Sequence, residues 1–407
     1  MKKVVILLLV SIIVISSVFA NGVVEEKDSS KVTLKFWYTY GDGEEAVLLN
    51  EVLPMWEKAN PDIKIDCIRQ DGSQYHQMIV TSFGTGNGPD VARIDITNTA
   101  SYANQGGLKA VSDYPEFDSL KDGFLEGPLS TNNYKGSYYG LPLDTNCKVA
   151  VVNTKILKDE LSLNEVPSTM EEFFAAAKNR DTYSLNVSGF GDWDLYPYFW
   201  LFGGVLTDEN FTKASGYFNS AESIAAVKEM IKLHNDGIFT IRDLDGSVDA
   251  WDGIESEYAM FFEGPWYNFQ AKAEMGIVPA LIPTYEGRSA SVVGGENIVV
   301  FSTSKYQDAA WKFAQFMTSD AVQEAMLKSG QLPVLKDMIN SATVLENPVW
   351  SVYMEQLATA KARIPSPYTS DIETLWKNCI TTIFVDGVDV KQEMDKTALS
   401  LDKILAK

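Results

Sequence analysis

The sequence predicts an α/β protein of two lobes joined by several crossover segments. Three observations carry this. The chain has 407 residues, more than one ordinary hydrophobic core organises, so two units are expected. Runs with strand periodicity alternate with runs of helical periodicity along its length, the pattern of βαβ units. No charge run or low-complexity block marks a single linker, so the chain is expected to cross between its lobes more than once. At 45% hydrophobic and 22% charged residues, the composition is that of a folded globular chain.

The N-terminus reads as an export signal. Lys2 and Lys3 precede an apolar run from Val4 to Val18, and Val18-Phe19-Ala20 offers small residues at the two positions a signal peptidase reads. Residues 1–20 are therefore expected to be a leader cleaved after Ala20. The run is shorter than the ~20 residues of a membrane span. No Cys follows it to take a lipid, so the mature protein is expected to be exported, soluble and free in an envelope compartment.

After a polar tail at 21–30, Val32 to Tyr38 alternates as a strand, broken at Tyr40-Gly41-Asp42-Gly43. Glu44 to Asn60 has helical spacing, with Pro54 placed to kink it. Asn60-Pro61 ends it before a second strand at Ile63 to Ile68. Tyr75 to Phe83 is read as a helix closing on Gly84-Thr85-Gly86-Asn87-Gly88-Pro89-Asp90. Those alternating glycines are a weak phosphate-cradle pattern, lacking Gly-Lys-Ser/Thr and a preceding strand, and a plain turn is the better reading. A strand at Val91 to Ile96 follows, then a short helical turn at Ser101 to Gln105. Tyr134 to Leu143 reads as a hairpin turning at Lys135-Gly136, leading into polar Asp144-Thr145-Asn146 and a strand at Val149 to Asn153.

In the second half, Ser168 or Thr169 can cap a helix whose first turn holds Glu171 and Glu172. Leu185 to Trp200 is rich in aromatics, and Ser220 to Asp236 is an amphipathic helix stopped by Gly237. Ala259 to Phe262 is a short buried strand. Glu263-Gly264-Pro265 stops it, and Pro265 suits the first position of a helix, which would fix Trp266 at a strand end. Open α/β sheets bind ligands at strand carboxyl ends. Further strands are expected at Gly276 to Leu281 and, after Gly294-Gly295, at Ile298 to Phe301. Helices are expected at Asp308 to Thr318, Ala321 to Ser329, Trp350 to Lys361 and Asp371 to Leu405.

A formal net charge of -21 excludes a nucleic-acid partner, since phosphate binding requires a surplus of Lys and Arg. Cys67, Cys147 and Cys379 form no Cys-x-x-Cys or zinc spacing; they read as small buried residues, with at most one disulfide that sequence cannot assign. His76 and His234 read as surface residues of helices, with no Ser or Cys partner motif. No cofactor and no metal site is expected.

Several local motifs in sequence order resemble one family. They are Asn60-Pro61-Asp62-Ile63, Gly88-Pro89-Asp90-Val91, Tyr139-Gly140-Leu141-Pro142 running to Asn153, Phe262-Glu263-Gly264-Pro265-Trp266, and Ser304 to Pro333 with Ala309-Ala310-Trp311-Lys312-Phe313 and Gln331-Leu332-Pro333. Together they cover nearly the whole mature chain. The chain resembles the periplasmic, maltose-binding-protein-like solute-binding proteins of carbohydrate ABC transporters. The resemblance implies a two-lobed periplasmic-binding-protein fold of type II. Lobe 1 is expected to hold 32–145 and 296–362, and lobe 2 146–295 and 363–407. It further implies a monomer that captures a sugar or oligosaccharide and delivers it to a membrane permease without catalysis.

By position, the resemblance makes Trp266 a stacking platform, with Trp193 and Trp376 in the places of further stacking aromatics. Tyr40, Asp42, Asp95 and Asn98 match polar loops after the first and third strands. Asn146 falls where the maltose-binding branch carries an acidic side chain, which argues against maltose itself. Asp144, Gly295 and Glu296 complete the expected ligand-binding set. Sugars present flat C–H faces edged with hydroxyls, which aromatic rings, carboxylates and amides hold. Core packing is the plain reading of each Trp, and turn or cap roles are the plain readings of Asp42, Asp95 and Glu263.

Two competitors remain at this stage. A secreted glycosidase would need two carboxylates ~5–9 Å apart, and 55 acidic residues make pairs cheap to find. The same fold could instead hold a polyamine or other cation by cation–π contact, distinguishable by its salt dependence. Adjacent Tyr138-Tyr139 hints at ferric iron, but such pairs in a hairpin are usually packing.

Overall fold

Two twisted sheets organise the computed structural model, which describes residues 32–244 and 246–407. The expected leader and polar tail lie outside the described residues. Thirteen strands appear among them: β1 (Val32–Tyr38), β2 (Ile63–Arg69), β3 (Val91–Asp95), β4 (Asn133–Tyr134), β5 (Ser137–Tyr138), β6 (Gly140–Cys147), β7 (Val149–Asn153), β8 (Leu185–Val187), β9 (Phe239–Ile241), β10 (Met260–Glu263), β11 (Ile277–Ala280), β12 (Ser291–Val300) and β13 (Ala360–Lys361). The lobe 1 sheet has the order β13-β12-β3-β1-β2, with β6 also paired to β12; the lobe 2 sheet has the order β11-β7-β10-β8-β9.

In β1, buried Leu34, Phe36 and Tyr38 alternate with outward residues. The strand runs parallel to β2 from Val32 opposite Ile63 to Tyr38 opposite Arg69. The helix between them is not uniform: it is α-helical over Asp42–Val47, π-helical over Leu48–Val52 and α-helical again over Leu53–Ala59. Pro54 has no N–H to give to the turn before it, and the widened π turn absorbs that defect while Leu48, Val52 and Trp56 stay buried. Lys135 (φ 51°) and Gly136 (φ 86°) make the two-residue turn of the β4–β5 hairpin, both in the left-handed region as a type I′ turn requires.

The strand expected at Ile298 to Phe301 needs correction: it is a ten-residue strand, Ser291–Val300, that runs through Gly294-Gly295 and pairs with Asp144 to Asn146 at the end of β6. Glycine here serves close approach of backbones. A Cβ on Gly295 (φ +129°) would lie 2.5 Å from the Asp144 carbonyl oxygen, and one on Gly294 would lie 2.1 Å from Asn146 Oδ1. Similarly, Asp371 to Leu405 is two helices, Thr369–Val385 and Val390–Leu405, and Trp350 to Lys361 is the helix Trp350–Leu357 followed by β13.

The lobes are joined where β6 leaves the first sheet and, after Lys148 alone, becomes β7 of the second. β12 zips antiparallel along β6 from Val293 opposite Cys147 to Val299 opposite Gly140. Ser291 fastens this crossing: its hydroxyl donates to the Lys148 carbonyl at 2.7 Å and accepts from the Lys148 N–H at 3.0 Å. A further crossing follows β13 into the helix Thr369–Val385. Each lobe has its own core, one around Phe36, Trp56 and Phe313, the other around Phe173, Tyr198, Phe262 and Trp376. A smaller cluster around Cys147, Phe261 and Tyr353 lies at their junction.

Candidate functional site

The carboxyl ends of β1 and β10 face each other across a cleft of about 880 Å³. Thr39, Gly41, Gly43 and Glu44, just past β1, and Arg93 of β3 form its lobe 1 wall. Pro265 to Gln270, just past β10, form the opposite wall, and Asp144, Thr145, Asn146 and Glu296 of the crossing strands form the floor. The loop from Lys328 to Gln331 adds to the lobe 1 side, and Gly330 (φ +93°) approaches so closely that a Cβ there would lie 3.2 Å from the Pro265 carbonyl oxygen.

Trp266 lines this cleft and keeps 49% of its surface exposed, unusual for an indole. The turn that presents it is pinned by Glu263, which is buried: Oε1 accepts from the Gly264 N–H at 2.7 Å and Oε2 from Trp251 Nε1 at 3.0 Å. Glycine at 264 lets the Trp266 ring lie over the turn, since a Cβ there would lie 2.4 Å from the ring as it is placed. The helix expected from Pro265 begins only at Phe269, capped by Asn268, so Trp266 sits in the turn itself and Glu263 caps nothing.

Trp193, in the first turn of the helix Asp192–Leu201, reaches the same place. Its ring centroid is 5.6 Å from that of Trp266, and it packs over Gly294. Two cations approach it: Lys148 Nζ at 5.2 Å and the Arg363 guanidinium at 5.8 Å from the ring centre. Lys148 is fully buried, donates to Asp194 Oδ1 at 2.6 Å and to the Phe262 carbonyl at 3.2 Å, and so ties the Trp193 helix to β10. Arg363 spans the lobes, 3.4 Å from Asp95 Oδ1 on one side and 3.7 Å from Asp192 Oδ2 on the other.

Arg93 organises the floor. It lies 2.9 Å from Glu296, 3.7 Å from Asp144 and 3.7 Å from Glu44, with its guanidinium 4.5 Å above the Tyr40 ring. Asp144 and Glu296 are directly opposite on β6 and β12. Burial, then the negative charge of Glu296, raises the Asp144 carboxyl well above the usual range against the pull of Arg93. Burial alone would lower Arg93, but the charges of Glu296 and Asp144 outweigh it and hold the guanidinium protonated. Asp144 Oδ2 and Asn146 Oδ1 are buried and receive no hydrogen bond from any described donor, whereas Glu296 Oε2 is paired with Arg93 Nη2 at 2.9 Å.

Of the expected ligand-binding set, the structure brings Asp144, Asn146, Trp193, Trp266, Gly295 and Glu296 to the cleft or its edge. Tyr40 is fully buried beneath Arg93. Asp42 points to solvent and pairs with Arg69 at 2.7 Å. Asp95 accepts from the Thr97 N–H at 2.8 Å and faces Arg363, beside the cleft; Asn98 bonds His76 at 3.1 Å. Trp376 is 1% exposed, packed edge-on against Tyr196 at 4.7 Å with its indole N–H given to the Phe190 carbonyl. It is a core residue of lobe 2 and does not reach the cleft. The sequence reading did not single out Glu44, Arg93, Lys148, Arg363 or Gln331. The signal for two of them was present: Arg93 and Lys148 interrupt apolar strand runs, and a cation buried there requires partners.

A family model described as bacterial extracellular solute-binding protein matches residues 53–349. The maltotriose-binding protein of Pyrococcus abyssi (strain GE5 / Orsay) is 23% identical over 303 residues, 71% of this chain and 64% of that protein's length. The diacetylchitobiose binding protein DasA of Streptomyces coelicolor is 25% identical over 360 residues, 84% of this chain and 80% of that one. Among solved structures, the GacH receptor of Streptomyces glaucescens GLA.O superposes with a TM-score of 0.81 at 20% identity, covering 92% of this chain and 98% of its own. A solute-binding protein of Thermotoga lettingae TMO, bound with alpha-D-tagatose, gives 0.77 at 24% identity, covering 92% and 100%. At these identities the solved structures show a shared two-lobed fold.

Proposed function

Because this chain belongs to the bacterial extracellular solute-binding protein family, we propose that it is the substrate-binding component of an ABC importer that captures a sugar or oligosaccharide. One observation carries the ligand class. A half-exposed indole, Trp266, lines a cleft whose floor holds two buried acceptors, Asp144 Oδ2 and Asn146 Oδ1, with no donor among the described residues. An aromatic face meets the C–H face of a pyranose, and hydroxyls supply the donors that Asp144 and Asn146 lack. The curated relatives named for maltotriose and diacetylchitobiose support the same class.

The mechanism is capture by hinge closure. The lobes turn about the β6–β7 crossing and the paired β12, and ligand bound to both walls stabilises the closed form. The closed protein, a monomer cleaved after Ala20 and free in the periplasm, then docks on a membrane permease. No helix among the described residues is long and apolar enough to cross a membrane. The protein is read as binding its ligand without catalysis, in keeping with a family of solute-binding proteins.

A thermal-shift screen of the purified chain against mono- and oligosaccharides, polyamines and phosphate esters tests this, since a ligand of the folded state raises its melting temperature by mass action. A sugar is expected to raise it and to shrink the scattering envelope. A panel in which only phosphate esters or linear polyamines act would overturn the reading.

A further inference from the structure

We infer that the sugar this cleft takes carries a protonated amine, seated on the floor between Asp144, Asn146 and Glu296. The inference rests on the sugar-binding reading and narrows its ligand class.

The floor is short of positive charge. Three carboxylates, Glu44, Asp144 and Glu296, lie within 3.7 Å of one guanidinium, that of Arg93. The other cation lining the cleft, Lys328, is held by Glu51. Asp144 is 3% and Asn146 7% exposed, and both line the cleft. Each presents an oxygen with no described donor, while Glu296 is paired with Arg93. Every unmet group there except the Arg93 Nε–H and the Tyr40 hydroxyl is an acceptor, and the ring of Tyr40 lies beneath Arg93.

Buried carboxylates in such excess are costly unless paired. Without ligand, the protein meets the cost by keeping a proton on the pair, the direction in which burial and Glu296 drive Asp144. A ligand hydroxyl would satisfy the lone pairs but leave the charge. An ammonium satisfies both: its N–H groups donate to the unmet oxygens of Asp144 and Asn146, its charge offsets the excess carboxylates, and it displaces the held proton. Trp266, which lines the same cleft, is free to stack on the sugar ring that carries the amine.

Three disaccharides with the same ring and linkage, differing only in the group on the second carbon, isolate the amine. These are the β-1,4-linked glucosamine dimer, its diacetyl form and cellobiose. Calorimetry on the full mature chain is expected to show the free-amine dimer binding roughly tenfold or more tightly than the other two. That preference should shrink as salt is raised, and should be lost in Asp144→Asn and in Glu296→Gln. Asp144→Asn keeps the size of the side chain, and its melting curve reports its folding; Glu296→Gln serves if it unfolds.

Equal or tighter binding of cellobiose or the diacetyl dimer, or binding by none of the three, overturns the inference. The wider sugar screen separates that failure from failure of the sugar reading. If neutral sugars bind, only the amine is wrong; if no sugar binds, both fall.

Discussion

The indole rings of Trp193 and Trp266 lie 5.6 Å apart at 34° to one another. They leave β8–helix and β10–turn segments of the same lobe, yet they play different parts. Trp266 is half exposed on a turn whose glycine leaves room for its ring, whereas Trp193 is approached by Lys148 and Arg363 and backs the Trp266 ring. Trp266 therefore offers the free face, and Trp193 stiffens it.

Trp193→Ala and Trp376→Ala are expected to separate. Emptying the lobe 2 core at Trp376 should cost about 3–5 kcal/mol of stability and leave the affinity of the folded fraction unchanged, because the ring does not reach the cleft. Trp193→Ala should weaken sugar binding with a smaller loss of stability. Urea denaturation and calorimetry on both variants check this.

Arg93→Met would strand the carboxylates of Glu44, Asp144 and Glu296 around an apolar side chain. Removing one partner from a buried ionic cluster costs about 3–5 kcal/mol. Urea denaturation should show a loss of that size, partly restored by adding Asp144→Asn, since the second change removes one of the crowded carboxyl groups.

Burial, then the charge of Asp192, raises the Glu373 carboxyl to about 7, opposed by Arg363. In the unfolded chain it would titrate near the ordinary glutamate value of about 4.3. The folded state thus holds this proton more tightly. The associated stability is complete below that unfolded value and is lost as pH rises through about 7. Asp144 contributes in the same direction. The melting temperature is expected to fall as pH rises across this window, and Glu373→Gln should flatten the fall.

Gly295 combines φ +129° with a position where a Cβ would lie 2.5 Å from the Asp144 carbonyl oxygen. Gly295→Ala must push β6 and β12 apart where the lobes join. A loss of about 3 kcal/mol or more is expected, along with weakened ligand binding, read by thermal melting and calorimetry.

Much of this was legible in the sequence, for identifiable reasons. Alternation in β1 and the Lys135-Gly136 turn are local signals, and local geometry followed them. The Gly-Pro-Trp stretch announced a strand end with an aromatic on it. Gly294-Gly295 misled because glycine pairs usually mark loops, whereas here they let two crossing strands approach. The Arg93 cluster was hidden because its members come from four distant segments, and only the sheet order places them together. Trp376 shows the converse: a family position located the ring, but the packing of Tyr196, Phe199 and Phe218 around it decided its surroundings.

The most direct measurement is calorimetric titration of wild type and Trp266→Ala with the sugar that most raises the wild-type melting temperature. Trp266 is half exposed, so the variant should melt close to wild type while its affinity falls by about a hundredfold or more, as expected when a stacking face is lost. An unaltered affinity in a folded Trp266→Ala protein would contradict the assignment of this cleft as the sugar site.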